Sequence, residues 1–393
     1  MTLVPHPEMA DEVRKVSHTC LVCGELGGQD FLLNIILFVP LGIGLGLTGI
    51  SRLVALSTVV LTTAAVESLQ YTVIIGRHAS LSDLVSNSIG GWLGITLASR
   101  WRAFVLPGRR AARWQAGLAM VGWLAIEMGS GLLLSVSVPP ATYFSAWAPE
   151  FPELPGFEQF RGSVLGASVD EIAIPPARLT NSSALRERLE AGQFTLQVRA
   201  TPGAPSSILA PLVRVRYGGQ TEVLLLAQLG TDFVYRVRTH SADLRLLNPT
   251  LHLVVSQPLA DMFQVRAGRD LGRMFIEVSS NEREYRRDLA ISPSWGWSFL
   301  IPFDYSFGPE VHFLTGLWIA GLLLPVAYWA QRAADGRRGK WQAAGALVAL
   351  VILGLGACPQ IAGLPPVHWS EWLAAAAGAA VGWWLAAVSH AIG

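Results

Sequence analysis

A small set of polar side chains interrupts three apolar segments near the N-terminus, and these side chains are the strongest candidates for chemistry. They are Asn34, Glu67, Gln70, Arg77, Asp83 and Asn87. The acids Glu67 and Asp83 are each followed by an amide three or four residues later, so each acid and its amide lie on one helix face. Carboxylates can take up protons from hydroxyl groups, amides hydrogen-bond polar groups, and arginine pairs with phosphate.

The depth of these groups in a membrane decides what they can do. At ~1.5 Å of rise per residue, Glu67 lies ~12 Å and Asn87 ~9 Å below the expected outer boundary. An ionisable group at mid-membrane costs about 2.5 to 3.5 kcal/mol, so it usually faces a partner or a wet cavity. Arg77 is the obvious counter-ion. The cluster is either a structural clamp or a ligand pocket, and the number of polar groups favours the pocket.

We therefore assign roles as hypotheses. Glu67 and Asp83 are the candidates for a catalytic role, and the candidates for substrate binding are Asn34, Gln70, Arg77 and Asn87. Whether the chain is an enzyme stays open at this stage, and the residues suggest neither a metal site nor a cofactor.

The composition is that of a membrane protein. The 393 residues are 51% hydrophobic and 15% charged, with a mean hydropathy of +0.42, whereas soluble domains carry about 25% charged residues. The net charge is +1, from 29 basic and 28 acidic residues. Without a basic surplus, nucleic acid is excluded as an expected partner, because binding it requires neutralisation of phosphates.

Seven apolar stretches approach the ~20 residues that a membrane-spanning helix needs. They are approximately 31–49, 53–75, 81–99, 114–138, 311–331, 341–357 and 369–388. The third carries serine, aspartate and asparagine in its first turns, so a soluble amphipathic helix is its alternative interpretation. The first 30 residues form an N-terminal tail without a cleavable signal peptide.

Lysine and arginine predict the orientation, because short loops rich in them stay in the cytoplasm. The loops after the third and fifth stretches and the turn before Leu53 hold ten such residues, and the opposite loops hold three. We expect a multi-pass protein of the bacterial inner membrane. Its tail, the segment around Arg77 and the insert between the fourth and fifth stretches would lie outside, and its C-terminus in the cytoplasm.

The insert, at 145–295, has the pattern of an all-β domain. Short alternating segments punctuated by glycine and proline predict antiparallel strands, at 194–199, 223–226, 233–237, 251–255 and 274–278. The runs GQFTLQVRATP and QTEVLLLAQLGTDFVYRVRT resemble laminin G-like domains, which implies a concanavalin A-like jelly-roll sandwich and glycan binding. No catalytic acid motif of that class is present. The aromatic residues that could stack on sugars are Trp147, Phe233, Tyr235 and Phe263, although such residues are more often core.

The N-terminal motifs resemble the VanZ-like family of bacterial membrane proteins. The matching strings are NIILFVPLG, ESLQ and RHASLSDLVSNSIG, and the resemblance covers about residues 20 to 100. The resemblance implies a cell-envelope role, since the family is named for glycopeptide resistance, but no defined reaction. Membrane lipids and a lipid-linked saccharide or cell-wall glycan are therefore the expected partners.

The last part of the chain, 299–393, holds the remaining three helices and could be a degenerate second copy of the first. Phe313 can be laid on Phe31, and Glu371 on Asp83. A chance overlay of alanine- and glycine-rich helices is the competing explanation.

Two other functions stay open. In the first, the helices only anchor a lectin-like scaffold. In the second, the lone C-x-x-C of Cys20 and Cys23 serves a membrane thiol oxidoreductase, although that motif is weak without a strand–helix context.

Overall fold

The computed structural model describes residues 22, 26–72, 80–150, 157–218, 221–259, 261–270, 272–280, 283–301 and 310–392. Its helices are α1 (Gly27–Leu47), α2 (Arg52–Thr72), α3 (Leu81–Ser99), α4 (Trp101–Val105), α5 (Arg109–Leu134), α6 (Ser182–Glu190), α7 (Val311–Ala333), α8 (Gly336–Val351), α9 (Cys358–Ile361) and α10 (Trp369–Ile392). A π-helical segment, Ile352–Ala357, joins α8 to α9.

Six helical segments of the described residues are long and apolar enough to cross a membrane: Gly27–Leu47, Arg52–Gln70, Arg109–Leu134, Val311–Ala333, Gly336–Ile361 and Trp369–Ser389. The expected third span is also a helix, α3, with the bounds predicted from the sequence. It is not among the six, because the polar residues of its first turns lower its hydropathy. The structure thus has a helical membrane part, and the seventh span stays a prediction.

Helices α1 and α3 pack so closely that only glycine fits between them. A Cβ atom added to Gly42 would lie 2.2 Å from the carbonyl oxygen of Gly91. Added to Gly90 or Gly94, it would lie 2.2 Å from the carbonyl oxygen of Ile35 or Val39. The small-residue pattern of these helices therefore serves a backbone-to-backbone contact.

The same contact recurs between α7 and α10. A Cβ atom on Gly378 would lie 2.4 Å from the carbonyl oxygen of Ala320, and one on Gly382 would lie 2.1 Å from that of Leu324. Both α1 and α7 also contain an internal proline, Pro40 and Pro325. The two helix pairs thus share one kind of close contact, and the internal repeat expected from the sequence stays a prediction.

Between the helical halves, the described residues form eleven strands in two antiparallel sheets. The strands are β1 (Phe144–Trp147), β2 (Ser163–Val169), β3 (Ile172–Ala173), β4 (Phe194–Thr201), β5 (Ser206–Tyr217), β6 (Thr221–Gly230), β7 (Asp232–Val237), β8 (Thr250–Leu253), β9 (Phe263–Asp270), β10 (Arg273–Ser280) and β11 (Arg283–Ala290). The five-stranded sheet has the order β1-β5-β6-β7-β8, and the six-stranded sheet has the order β11-β10-β9-β4-β2-β3. Alternate residues of the two sheets form one buried core, as in a β-sandwich.

The core of the sandwich continues into the helical part. Leu134 at the end of α5 and Val311 at the start of α7 belong to the same buried cluster as the sheet residues. A 3-10 helix, Pro293–Leu300, contributes Trp295 to it, and Ala362 after α9 joins as well. The β domain is therefore packed against the helix ends through apolar side chains.

Hydrogen bonds reinforce this junction. Arg269 of β9 is buried, and its Nη2 donates to the carbonyl oxygen of Leu134 at 2.9 Å, where α5 ends. Burial lowers the pKa of Arg269 to about 10. At the start of α1, the backbone N–H of Gln29 donates to the carbonyl oxygen of Arg245 at 3.3 Å. The starts of α1 and α7 and the end of α5 thus meet the same domain.

Candidate functional site

The predicted polar residues of α1, α2 and α3 come together at the end of these helices nearer the β domain. Asn34 Nδ2 of α1 donates to Asp83 Oδ1 of α3 at 2.8 Å. Glu67 Oε2 of α2 accepts the backbone N–H of Ser80 at 2.8 Å, and Ser80 Oγ in turn accepts the backbone N–H of Asp83 at 3.1 Å. The two carboxylates lie within electrostatic range of one another. Asp83 thus contacts α1 directly and is linked to α2 through the cap of its own helix.

The amides lie deeper among the helices. Asn87 Nδ2 donates to Thr63 Oγ1 of α2 at 2.7 Å, and both side chains are buried. Asn87 Oδ1 is buried without a hydrogen-bond partner among the described residues. Gln70 is also buried. An unsatisfied buried oxygen is costly, so it marks a point where a further donor would be accommodated.

Three residues singled out in the sequence, Arg77, Cys20 and Cys23, lie outside the described residues. The predicted ion pair between Arg77 and the carboxylates and the redox role of the cysteines therefore stay predictions. Among the residues that the structure does describe, no three His, Cys, Asp or Glu side chains are grouped as metal ligands would be.

The carboxylates and amides of this cluster can accept and donate hydrogen bonds to a polar ligand. Glu67 and Asp83 are both half-buried. A hydroxyl or ammonium group at this place could donate to a carboxylate of α2 or α3 while accepting from a neighbouring amide. A second ligand class, an anion, would need Arg77.

A second buried polar cluster lies between α5, the 3-10 helix Pro293–Leu300 and α10. Ser294 Oγ donates to Glu127 Oε2 of α5, and Ser292 Oγ donates to Glu371 Oε2 of α10, each at 3.0 Å. Both carboxyl groups are almost completely buried, and Glu127 Oε1 has no hydrogen-bond partner among the described residues. The backbone N–H of His368 donates to Glu371 Oε1 at 3.4 Å. Helices α3 and α10 thus each carry, in the first turn, an acid that contacts another segment.

The sequence reasoning missed Glu127 and used Glu371 only as a position in the overlay. The signal for Glu127 was present, since it is a lone acid within an apolar span, and such residues usually face a partner. Its partner, Ser294, lies 167 residues away in the 3-10 helix, so only the fold brings them together.

The outer face of the six-stranded sheet carries a groove of about 340 Å³. Charged residues line most of it, and Arg266 and Arg286 both donate to Glu277. Phe275 is the aromatic wall of this face, opposite Gly268 on the next strand. Because glycine has no side chain there, the ring is open on one side.

Three of the four aromatic residues that could stack on sugars are core residues, the alternative that their type favoured. Phe233, Tyr235 and Phe263 are at most 3% exposed and lie in the sandwich core, so they cannot serve as sugar platforms. Trp147 is half-buried, and its Nε1 donates to the carbonyl oxygen of Ile174 at 2.9 Å. The three buried rings lie on the inward faces of β7 and β9, together with the core residues that alternate with them.

A comparison with protein families supports the N-terminal resemblance. The family model described as VanZ/LLP1 matches residues 1–103, which include α1, α2, α3 and the first polar cluster. The match spans about a quarter of the chain and leaves the β domain and the second helical half outside. No curated protein and no solved structure matches the chain. The N-terminal part is thus VanZ-like, and the chain is a membrane protein with a β domain of its own.

Proposed function

We propose that the polar cluster of α1, α2 and α3 binds the polar head group of an envelope lipid or a lipid-linked saccharide, with α3 as a seventh span. The observation that carries this proposal is the meeting of Asn34, Glu67 and Asp83 from three helices, together with the unsatisfied oxygen of Asn87. A clamp would need one or two satisfied pairs. The buried oxygen of Asn87, which is additional to these pairs, supports a place for a ligand.

The chemistry of the cluster fits a hydroxyl-bearing head group. Glu67 and Asp83 would accept hydrogen bonds from hydroxyl groups, and either could position or deprotonate one. Asn87 would accept a further donor, and Arg77 would pair with a phosphate. The location of the cluster, next to the domain that we place outside the cell, supports a ligand of the outer leaflet.

We expect Asp83→Asn and Glu67→Gln to lower the amount of lipid bound at this site about tenfold or more, since a lost charge-assisted hydrogen bond costs about 1.5 to 3 kcal/mol. The measurement is native mass spectrometry of the full-length protein, purified in mild detergent and incubated with an envelope lipid extract. Each amide keeps an oxygen that can accept the hydrogen bonds made in the fold.

The matched control is Ser88→Ala, also in α3, whose hydroxyl donates only to the carbonyl oxygen of Leu84 one turn earlier. Equal lipid binding by Asp83→Asn, Glu67→Gln and Ser88→Ala, all folded, would contradict the proposal. So would an unchanged envelope or glycopeptide phenotype in cells that produce the two acid variants.

We further propose that the β domain holds the glycan part of such a ligand, in the groove of the six-stranded sheet. The polar walls and the open ring of Phe275 are the combination that sugars require, hydrogen-bonding groups beside an apolar face. The orientation that places this domain outside is supported by the arginine-rich ends of the helices, such as Arg100 and Arg109, which lie at the far end of the bundle.

Phe275→Ala should reduce glycan retention by the full-length protein about twofold to tenfold, since an aromatic contact is worth about 0.5 to 1.5 kcal/mol. The control is Phe144→Ala, which removes an exposed ring of the other sheet, where Arg216 lies 5.7 Å from the ring centre. The readout is a glycan array probed with the detergent-solubilised protein. Absence of any wild-type signal, or equal signals from the two variants, would refute a sugar site in this groove.

A further inference from the structure

A groove of about 370 Å³ lies between α2 and α3, at the ends of these helices that are remote from the first polar cluster. Its lining residues are Arg52, Leu53, Leu56, Trp92, Ile95, Thr96 and Arg100. From Arg52 to Glu67 the helical rise amounts to ~22 Å, and from Asp83 to Arg100 to ~25 Å. The groove and the polar cluster are thus separate places on the same helix pair.

Two arginines form the polar mouth of this groove. Arg52 is the first residue of α2 and Arg100 directly follows α3, so the antiparallel helices bring both to one level. Both are exposed, and neither forms an ion pair within the described part of the chain. A cation at a helix N-terminus opposes the helix dipole, so Arg52 is unfavourable where it stands unless an anion is near. The positive charges of the two arginines at the mouth can therefore attract an anionic group.

The rest of the groove is apolar. Leu53 and Trp92 are 75% and 53% exposed, and Ile95, which is buried, lies between the helices. From Arg100 back to Trp92 the wall extends ~12 Å along the helix. An exposed tryptophan and leucine beside arginine are typical of the boundary between head groups and acyl chains. A small inorganic anion would bind only at the arginines of the mouth and would leave the apolar wall of the groove exposed.

We propose that the groove binds an anionic glycerophospholipid. Its phosphate lies between Arg52 and Arg100, where guanidinium groups can donate two hydrogen bonds each. One acyl chain lies along Leu53, Leu56 and Trp92. Basic pockets between membrane helices favour such head groups, because an anionic phosphate gains from the local positive charge while the chain stays in the hydrocarbon. This site belongs to the leaflet opposite the β domain.

The test compares phosphatidylglycerol with phosphatidylcholine, each added to the full-length protein in mild detergent and followed by native mass spectrometry. Phosphatidylglycerol should bind about tenfold more tightly than phosphatidylcholine, and Arg52→Gln and Arg100→Gln should each remove that preference. The matched control is Arg110→Gln, which changes an exposed arginine in the first turn of α5 that does not line the groove.

Two results would overturn the proposal. One is an equal preference for phosphatidylglycerol in the Arg52, Arg100 and Arg110 variants, which would mean that charge anywhere at this membrane face suffices. The other is full displacement by millimolar inorganic phosphate, together with equal affinity for short-chain and long-chain phosphatidylglycerol, which would assign the mouth to a free anion. Should a glutamine variant fail to fold, the preference and chain-length dependence of the wild-type protein still decide between these outcomes.

Discussion

Gly42→Ala should lower the melting temperature of the detergent-solubilised protein by roughly 6 to 12 °C, the shift expected for a loss of about 3 kcal/mol in a domain of this size. The added methyl group would lie 2.2 Å from the carbonyl oxygen of Gly91 and 2.9 Å from its Cα. Backbone atoms within a helix cannot move aside singly, so α1 and α3 must separate. That separation also pulls Asn34 away from Asp83.

The control is Gly44→Ala in the same helix, because a Cβ atom there meets nothing within 4 Å. Alanine has a higher helix propensity than glycine, so this change should leave the melting temperature the same or raise it slightly. Intrinsic fluorescence during heating supplies the measurement. If both variants melt together, the close contact does not stabilise the helix pair.

The junction between the β domain and α5 gives the second large effect. We expect Arg269→Ala to destabilise the protein by about 3 kcal/mol, from a cavity and from the carbonyl oxygen of Leu134 left without its donor. Limited proteolysis should then cut between α5 and β1, which the wild-type protein resists. Arg269→Met keeps much of the side-chain volume but has no hydrogen-bond donor. The stability of this variant should therefore lie between that of the wild-type protein and that of Arg269→Ala.

Arg199→Ala is the control for this variant. Arg199 lies on β4, which pairs with β9, but it is exposed on the opposite face of the sheet. Exposed substitutions of this kind usually change stability by no more than about 0.5 kcal/mol. Equal protease sensitivity of the Arg199 and Arg269 variants would show that the buried arginine does not join the domain to the helix.

The helical part was largely predictable, because its signals are local. The bounds of α3 follow from Ser80, which caps the helix by accepting the N–H of Asp83, and from the apolar run that ends before Arg100. The meeting of Asn34 with Asp83 followed from depth along neighbouring helices. The hydrogen bond that the backbone N–H of Ser80 donates to Glu67 depends on loop geometry that spacing does not define.

The internal repeat stays a prediction, and the helix contacts fit it in a register other than the one expected. Ile35 faces Gly90, and Ala320 faces Gly378, so Ala320 takes the place of Ile35. This register differs by three residues from the overlay that put Phe313 on Phe31, and it places Pro325 on Pro40. Almost one helical turn separates the two alignments, so a hydrophobic pattern alone fits both. The helix contacts distinguish them.

The β domain was predictable at its apolar strands and not at its charged ones. The strand at Met274–Val278 alternates and was expected, whereas β11 consists largely of charged residues and reads as a loop in the sequence. Arg269 follows Phe263, Val265 and Ala267 in alternation and so points inward with them. A buried arginine is tolerable at this position because the carbonyl oxygen of Leu134, at the distant end of α5, accepts its hydrogen bond.

The shared core has a consequence for how the chain matures. Residues on both sides of the insert complete the sandwich, Leu134 before it and Val311 and Ala362 after it. The ribosome delivers the second group only after the whole β domain has been synthesised, so the core of the domain stays incomplete until the following helices are made. A chain truncated before residue 311 would leave apolar surface of the domain exposed to proteases. Complete folding of the β domain therefore depends on the helices that follow it in the chain.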